Sequence, residues 1–231
     1  MMAAGKKAAL AVIDVQEDFC EPNGSLAVKG GRALADTWND LLSLPFAVKV
    51  ATRDYHPADH ISFASQHSGK QPFTSSHTIK NPENDEDKAF TTSLWPDHCI
   101  QGTRGCEFIP ELDHSKLTEQ IDKGQDKRVE SYSAFGPVYR NPPVAMSGLG
   151  DTLKQKGIVD LFVVGLAYDY CVKHTAIDAV EHGFKTYVIE DGTKAVDQSE
   201  DGIAATRKEL QDAGVVIIGL DSKELNAVRA T

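Results

Sequence analysis

Cysteine is scarce in this chain: Cys20, Cys99, Cys106 and Cys171 are four in 231 residues and widely scattered. That count excludes a small disulfide-stapled fold and suits a reducing compartment. Basic residues are also in deficit, with 24 Lys and Arg against 34 Asp and Glu for a formal net charge of −10. A nucleic-acid or anionic-membrane partner needs a basic footprint, so neither is expected. Long apolar runs are missing too. The longest apolar-plus-glycine stretch, "LFVVGLA" (161–167), is the length of a strand and not of a membrane span. The start, "MMAAGKKAALAVIDV", runs into "QEDF" with no cleavage-type segment, so no secretory signal is expected. No internal repeat, G-x-G-x-x-G or P-loop pattern occurs. The expectation is a cytoplasmic protein, with the nucleus or an organelle left open.

What is present is a regular alternation. Apolar segments at 8–15, 46–53, 160–167, 185–191 and 214–220 read as strands. Between them, "GRALADTWNDLLSL", "SGLGDTLKQKG", "YCVKHTAIDAVEHG" and "EDGIAATRKELQDAG" have helical periodicity, and Gly157, Gly183 and Gly214 mark the ends of three. "KLTEQIDKG" (116–124) is a further strand candidate. Apolar strands alternating with amphipathic helices predict an α/β fold: a mostly parallel sheet with helices on both faces. One domain over 1–231 is expected, interrupted by a long loop at about 54–110. That loop carries the acidic run 81–88, read as a solvated tip.

In open parallel sheets, ligands bind beyond the carboxyl ends of the strands. Cys171 lies there, after "LFVVGLA" and at the start of a helix whose free N–H groups and dipole favour a thiolate. It reads either as a nucleophile or as a small buried hydrophobe. Asp14, interrupting "ALAVIDVQEDF" near a strand end, is a candidate base, because a carboxylate there is costly without a partner or a task. His174, one helical turn beyond Cys171, is the rival base, with a partly exposed helix residue as its ordinary reading. Asp191 reads as a turn or cap residue before Gly192.

A second group is "TRDYHPADH". Asp54 and His56 are i and i+2 at a strand end and project to one face, which reads either as part of a zinc or iron site or as a polar loop that happens to hold histidines. His60 and His98 are further candidate ligands. Cys99 and Cys106 lack the paired spacing of a structural zinc site, and with Cys20 they read as core residues.

Five segments, "VIDVQEDFC", "TRDYHPADHISF", "LWPDHCIQGT", "DKG" followed by "YSAF", and "VGLAYDYCVKHTAIDA", resemble the nicotinamidase (pyrazinamidase) branch of the isochorismatase-like cysteine hydrolases. The match runs in order from about residue 8 to residue 220. The resemblance implies a Rossmann-like three-layer α/β/α fold and hydrolysis of nicotinamide, the small-molecule partner, to nicotinic acid and ammonia through a cysteine thioester. It makes Cys171 the nucleophile, Asp14 the general base and Lys123 the third catalytic residue. Lys123 on its own reads as a surface lysine in a weak strand. Asp54, His56 and His98 match metal ligands, and His60 matches a position that ligates in some members only. The implied cofactor is one divalent metal ion, zinc first, with iron or manganese as alternatives. Phe19 and Trp95 match the ring pocket, with Tyr132 or Phe135 closing it. The family also has a cis peptide before its oxyanion residue, here Leu166–Ala167, so that Ala167 and Cys171 supply the oxyanion N–H donors. Self-association is left open.

Three other readings compete. One is a metal-free amidase or isochorismatase-type relative, which is not expected to keep the D-x-H and W-P-x-H-C set. Another is a metallohydrolase using metal-bound water, with Cys171 merely structural. The third is a binding protein on a hydrolase scaffold, against which the intact catalytic set argues.

Overall fold

Residues 7–231 are described by a computed structural model. The N-terminal part of the secretory-signal reading, and of the 1–231 domain span, falls on residues 1–6, outside the described residues.

The apolar runs form the strands of one sheet. They are β1 (Lys7–Ile13), β2 (Val48–Asp54), β5 (Glu119–Lys123), β6 (Ile158–Leu166), β7 (Lys185–Lys194) and β8 (Val216–Ile218). Their order is β5-β2-β1-β6-β7-β8, and every pairing is parallel. The central strand β1 is buried on both faces, which explains why it reads as a continuous apolar run. Its alternate residues enter two cores. Leu10 and Val12 meet α1 (Ala35–Leu42) and α5 (Lys223–Arg229) on one face. Ala9, Ala11 and Ile13 meet α2 (Leu149–Gln155), α3 (Lys173–Glu181) and α4 (Glu200–Asp212) on the other. This is the expected α/β arrangement, helices on both faces of a mostly parallel sheet.

Local chemistry sets the element ends. Ser199 and Ser222 cap α4 and α5 by accepting the N–H of Gly202 and Leu225. Gly157, Gly183 and Gly214 follow α2, α3 and α4 with positive φ, as their positions implied. Gly165, at φ 115°, lets β6 approach β1 so closely that a Cβ would lie 2.1 Å from the Ile13 carbonyl oxygen.

Two details differ from the sequence reading. Helix α5 was not anticipated, because seven residues hold too few turns for a periodic signal. The 54–110 region is also not structureless. It contains an antiparallel hairpin of β3 (Ser76–Ile79) and β4 (Phe90–Ser93), whose polar, Thr-rich strands carry little apolar alternation. The acidic run is the hairpin tip, but it is tied down. Asn81 donates to Asp87, Asn84 donates to the Asn141 carbonyl, and Glu83 pairs with Arg128.

Candidate active site

Four neighbouring strands end at one edge of the sheet, and each delivers one residue to the same point. Lys123 ends β5, Asp54 ends β2, Asp14 follows β1, and Cys171 follows β6 on a π-helical turn, Tyr168–Val172, that leads into α3. Asp54 and Lys123 are direct partners in the β2–β5 register. The topology therefore builds the cluster before any side chain is considered.

Lys123 is the hub. Its buried Nζ lies 3.0 Å from Asp14 Oδ2 and 2.5 Å from Asp54 Oδ1. It also donates to Cys171 Sγ at 3.5 Å and to the Ser131 carbonyl at 3.1 Å. Burial works against the ammonium, but Asp14, Asp54 and Cys171 together hold its pKa well above the ordinary lysine value. Burial pushes the Asp14 carboxyl up, opposed by Lys123 and by the Thr52 hydroxyl, which donates to Oδ1 at 2.6 Å. Burial likewise raises the Cys171 thiol well above its usual range; Lys123 opposes this, and Asp14 and Asp54 reinforce it. For Asp54, burial is overcome by Lys123 and His56, which keep the carboxylate well below the usual range. A resting thiol beside a proton-accepting carboxylate and a fixed cation can form a thiolate as it reacts.

A second cluster shares Asp54. The Nε2 atoms of His56 and His98 lie 3.6 and 3.9 Å from Asp54 Oδ2. His56 Nδ1 bonds the Gly124 carbonyl at 2.8 Å, and His98 Nδ1 bonds the Pro96 carbonyl at 2.7 Å. A carbonyl only accepts, so each Nδ1 carries a proton, and in the neutral ring each Nε2 offers a lone pair. The His56 Nε2 is buried without a hydrogen-bond partner among the described residues. Two imidazole lone pairs and a carboxylate oxygen, mutually within 4.8 Å, fit a divalent metal ion. Gly124 makes the cradle possible, since a Cβ there would lie 2.3 Å from the His56 ring.

His60 stacks on His56 with ring centroids 4.0 Å apart, its Nδ1 bonded to Ser62 Oγ at 2.8 Å. It does not join the three-residue ligand group.

Asp54, His98 and Cys171 face a small cavity whose walls include Phe19, Trp95, Tyr132 and Ala167. Tyr132 Oη accepts from Trp95 Nε1 at 2.8 Å and bonds Thr92 Oγ1 at 2.6 Å, so β4 fixes both rings. Phe135 is a correction. It does not line the cavity but packs in the opposite core, stacked on His182 at 4.6 Å and beside Phe184. The rival base, His174, stacks on Tyr132 instead of reaching Cys171, and burial lowers its pKa to about 4. Asp191 accepts the Leu220 N–H, a structural role. The Leu166–Ala167 peptide is cis. Cys20, Cys99 and Cys106 are buried free thiols.

Several contributors were not singled out from sequence. Thr52 is two residues before Asp54 on β2, so the strand's period of two was an available signal. Gln16 pins the Asp54 main chain, with Nε2 donating to the Asp54 carbonyl and Oε1 accepting the Asp54 N–H. Tyr170, Leu26, Val28 and Val196 complete the cavity wall and carry no local motif.

The isochorismatase domain model matches residues 8–222. A curated nicotinamidase of Acinetobacter baylyi is 42% identical over 198 residues, covering 86% of each chain. The yeast nicotinamidase structure, bound to the inhibitor nicotinaldehyde, superposes with a TM-score of 0.86 at 33% identity, over 92% of this chain and 99% of that one. A Pyrococcus horikoshii pyrazinamidase solved in complex with zinc gives 0.70 at 29% identity, over 92% and 99%. With a family model across nearly its whole length and a relative this similar, the chain belongs to the isochorismatase domain family.

Proposed function

We propose that the protein is a nicotinamidase, a single hydrolase domain that converts nicotinamide and water to nicotinic acid and ammonia. The observation that carries this reading is the shared carboxylate. Asp54 joins the Asp14–Lys123–Cys171 cluster to the His56–His98 pair at the base of one aromatic-walled cavity. Nicotinamidase relatives at 34–42% identity support the same substrate.

Cys171 Sγ attacks the amide carbonyl carbon while its proton passes to the Asp14 carboxylate. The carbonyl π electrons move to oxygen, and the backbone N–H groups of Ala167 and Cys171 receive the oxyanion. Asp14, now protonated, gives its proton to the amide nitrogen as the C–N bond breaks, and ammonia leaves. A water then attacks the thioester carbon, losing its proton to Asp14. The thiolate departs, is reprotonated, and nicotinic acid is released. Lys123 keeps its charge throughout and stabilises each anionic partner in turn.

Asp54, His56 and His98 would hold a divalent metal ion, for which zinc is the proposed identity. Such an ion would supply a Lewis acid able to orient the pyridine ring. Phe19, Trp95 and Tyr132 supply the aromatic wall against which that ring would pack. Removal of nicotinamide in this way places the protein in NAD salvage.

The test is ammonia release from nicotinamide by the metal-loaded protein beside Cys171→Ala. Release by the parent alone is the expected result. Release by both would remove Cys171 from the chemistry, and release by neither would remove nicotinamide as the substrate.

A further inference from the structure

Val196 is a large apolar residue left 39% exposed, yet it forms part of the cavity wall. It sits in the short connection between β7 and α4, with no ladder or helix to hold it. What holds it is Asp169, a buried residue two positions before Cys171 on the same π-helical turn. Asp169 Oδ1 accepts the Val196 N–H and Oδ2 accepts the Asp197 N–H, both at 2.9 Å. A carboxylate taking two backbone donors is a strong, directional tether. Gln198 adds a second tie. Its Nε2 donates to the Ala195 carbonyl at 3.1 Å and to the Lys29 carbonyl at 2.8 Å, joining this connection to the loop that brings Leu26 and Val28 to the cavity.

We propose that Asp169, assisted by Gln198, is a positioning residue for specificity: it holds Val196 as the outer wall of the ring cavity and so sets which aromatic amides reach Cys171. This rests on the nicotinamidase reading for its substrate class, but not for its geometry. Asp169 touches neither the reacting atoms nor the metal ligands; it acts through the placement of Val196. Because nucleophile and tether share one five-residue turn, the wall is registered to the thiol itself.

The experiment measures two ratios on the metal-loaded protein. The first is kcat/KM for a ring-methylated nicotinamide over that for nicotinamide. The second is the rate of Cys171 alkylation by N-phenyl iodoacetamide over iodoacetamide, read by peptide mass. Asp169→Asn removes one acceptor, Gln198→Ala removes the exposed tie, and Val196→Ala trims the wall directly. All three are expected to raise both ratios about threefold or more, with KM for nicotinamide rising more than kcat falls, whereas Val196→Leu lowers both ratios. Gln198 is on the surface, so Gln198→Ala and the Val196 pair decide the matter even if Asp169→Asn fails to fold. Unchanged ratios across the folded variants, or an equal loss of kcat on both amides, overturn the proposal. If the parent releases no ammonia from nicotinamide, the substrate reading fails, and the alkylation ratio still decides the wall.

Discussion

Asp54 divides its carboxylate between two tasks: Oδ1 lies 2.5 Å from Lys123 Nζ, while Oδ2 faces the Nε2 atoms of His56 and His98. The two residues are register partners on adjacent strands, so the buried ammonium and the Asp54–His56–His98 group share one anchor.

Asp54→Asn therefore disables both clusters. The bound metal, measured by elemental analysis, is expected to fall from about one per chain to near zero. Ammonia release is expected to fall at least 100-fold, consistent with the loss of a metal ligand. Chelation of the parent protein gives the same loss, reversed by adding back a divalent ion. It also lowers the melting temperature, because the ion binds only the folded state.

Lys123→Met tests the hub. It leaves Asp14 and Asp54 buried beside each other without a cation, which costs about 3–5 kcal/mol in denaturant unfolding. Turnover should fall by about 10³-fold or more, as for removal of a member of a catalytic unit. A variant with parental stability and turnover would show that the lysine is dispensable.

Tyr132 and Phe135 are expected to separate cleanly. Tyr132→Phe removes the oxygen that accepts from Trp95 Nε1 and bonds Thr92, freeing a cavity wall, and should raise KM severalfold. Phe135→Leu should cost about 1–3 kcal/mol of stability through lost core packing and leave KM unchanged. A KM effect for Phe135→Leu would return that ring to the pocket.

Asp122 gives a pH-dependent stability term away from the cavity. Arg53 donates to both of its oxygens at 2.9 Å. Burial raises the carboxyl's pKa, and the Arg53 hydrogen bonds overcome this and lower it. A carboxyl with a depressed folded-state pKa contributes stability above its unfolded pKa of about 3.9, and loses it as pH falls through the folded value. Asp122→Asn should thus destabilise by about 1 kcal/mol at pH 7, with the difference from the parent shrinking as pH falls through the depressed folded-state value. A difference that persists in acid would point to packing instead.

Apolar runs in the sequence mark the strands of the main sheet and, with them, several residues of the site. Parallel strands buried on both faces are written as apolar runs, so a polar residue that interrupts or ends such a run marks the edge where the candidate site forms. Asp14, Asp54 and Cys171 are legible for that reason. The remaining residues are placed by the packing of distant elements. Lys123 ends a half-exposed strand, "EQIDK", and nothing local separates it from a surface lysine; it becomes a hub because β5 pairs beside β2 and sets it opposite Asp54. Tyr132 and Phe135 lie three residues apart in an aperiodic segment, where no repeat says which way a ring points; hydrogen bonds to Trp95 and Thr92 turn one into the cavity, and His182 draws the other into the core. Asp169 and Val196 are 27 positions apart, and their contact exists because β6 and β7 end side by side. Periodicity records burial along one element, whereas strand order decides which ends meet.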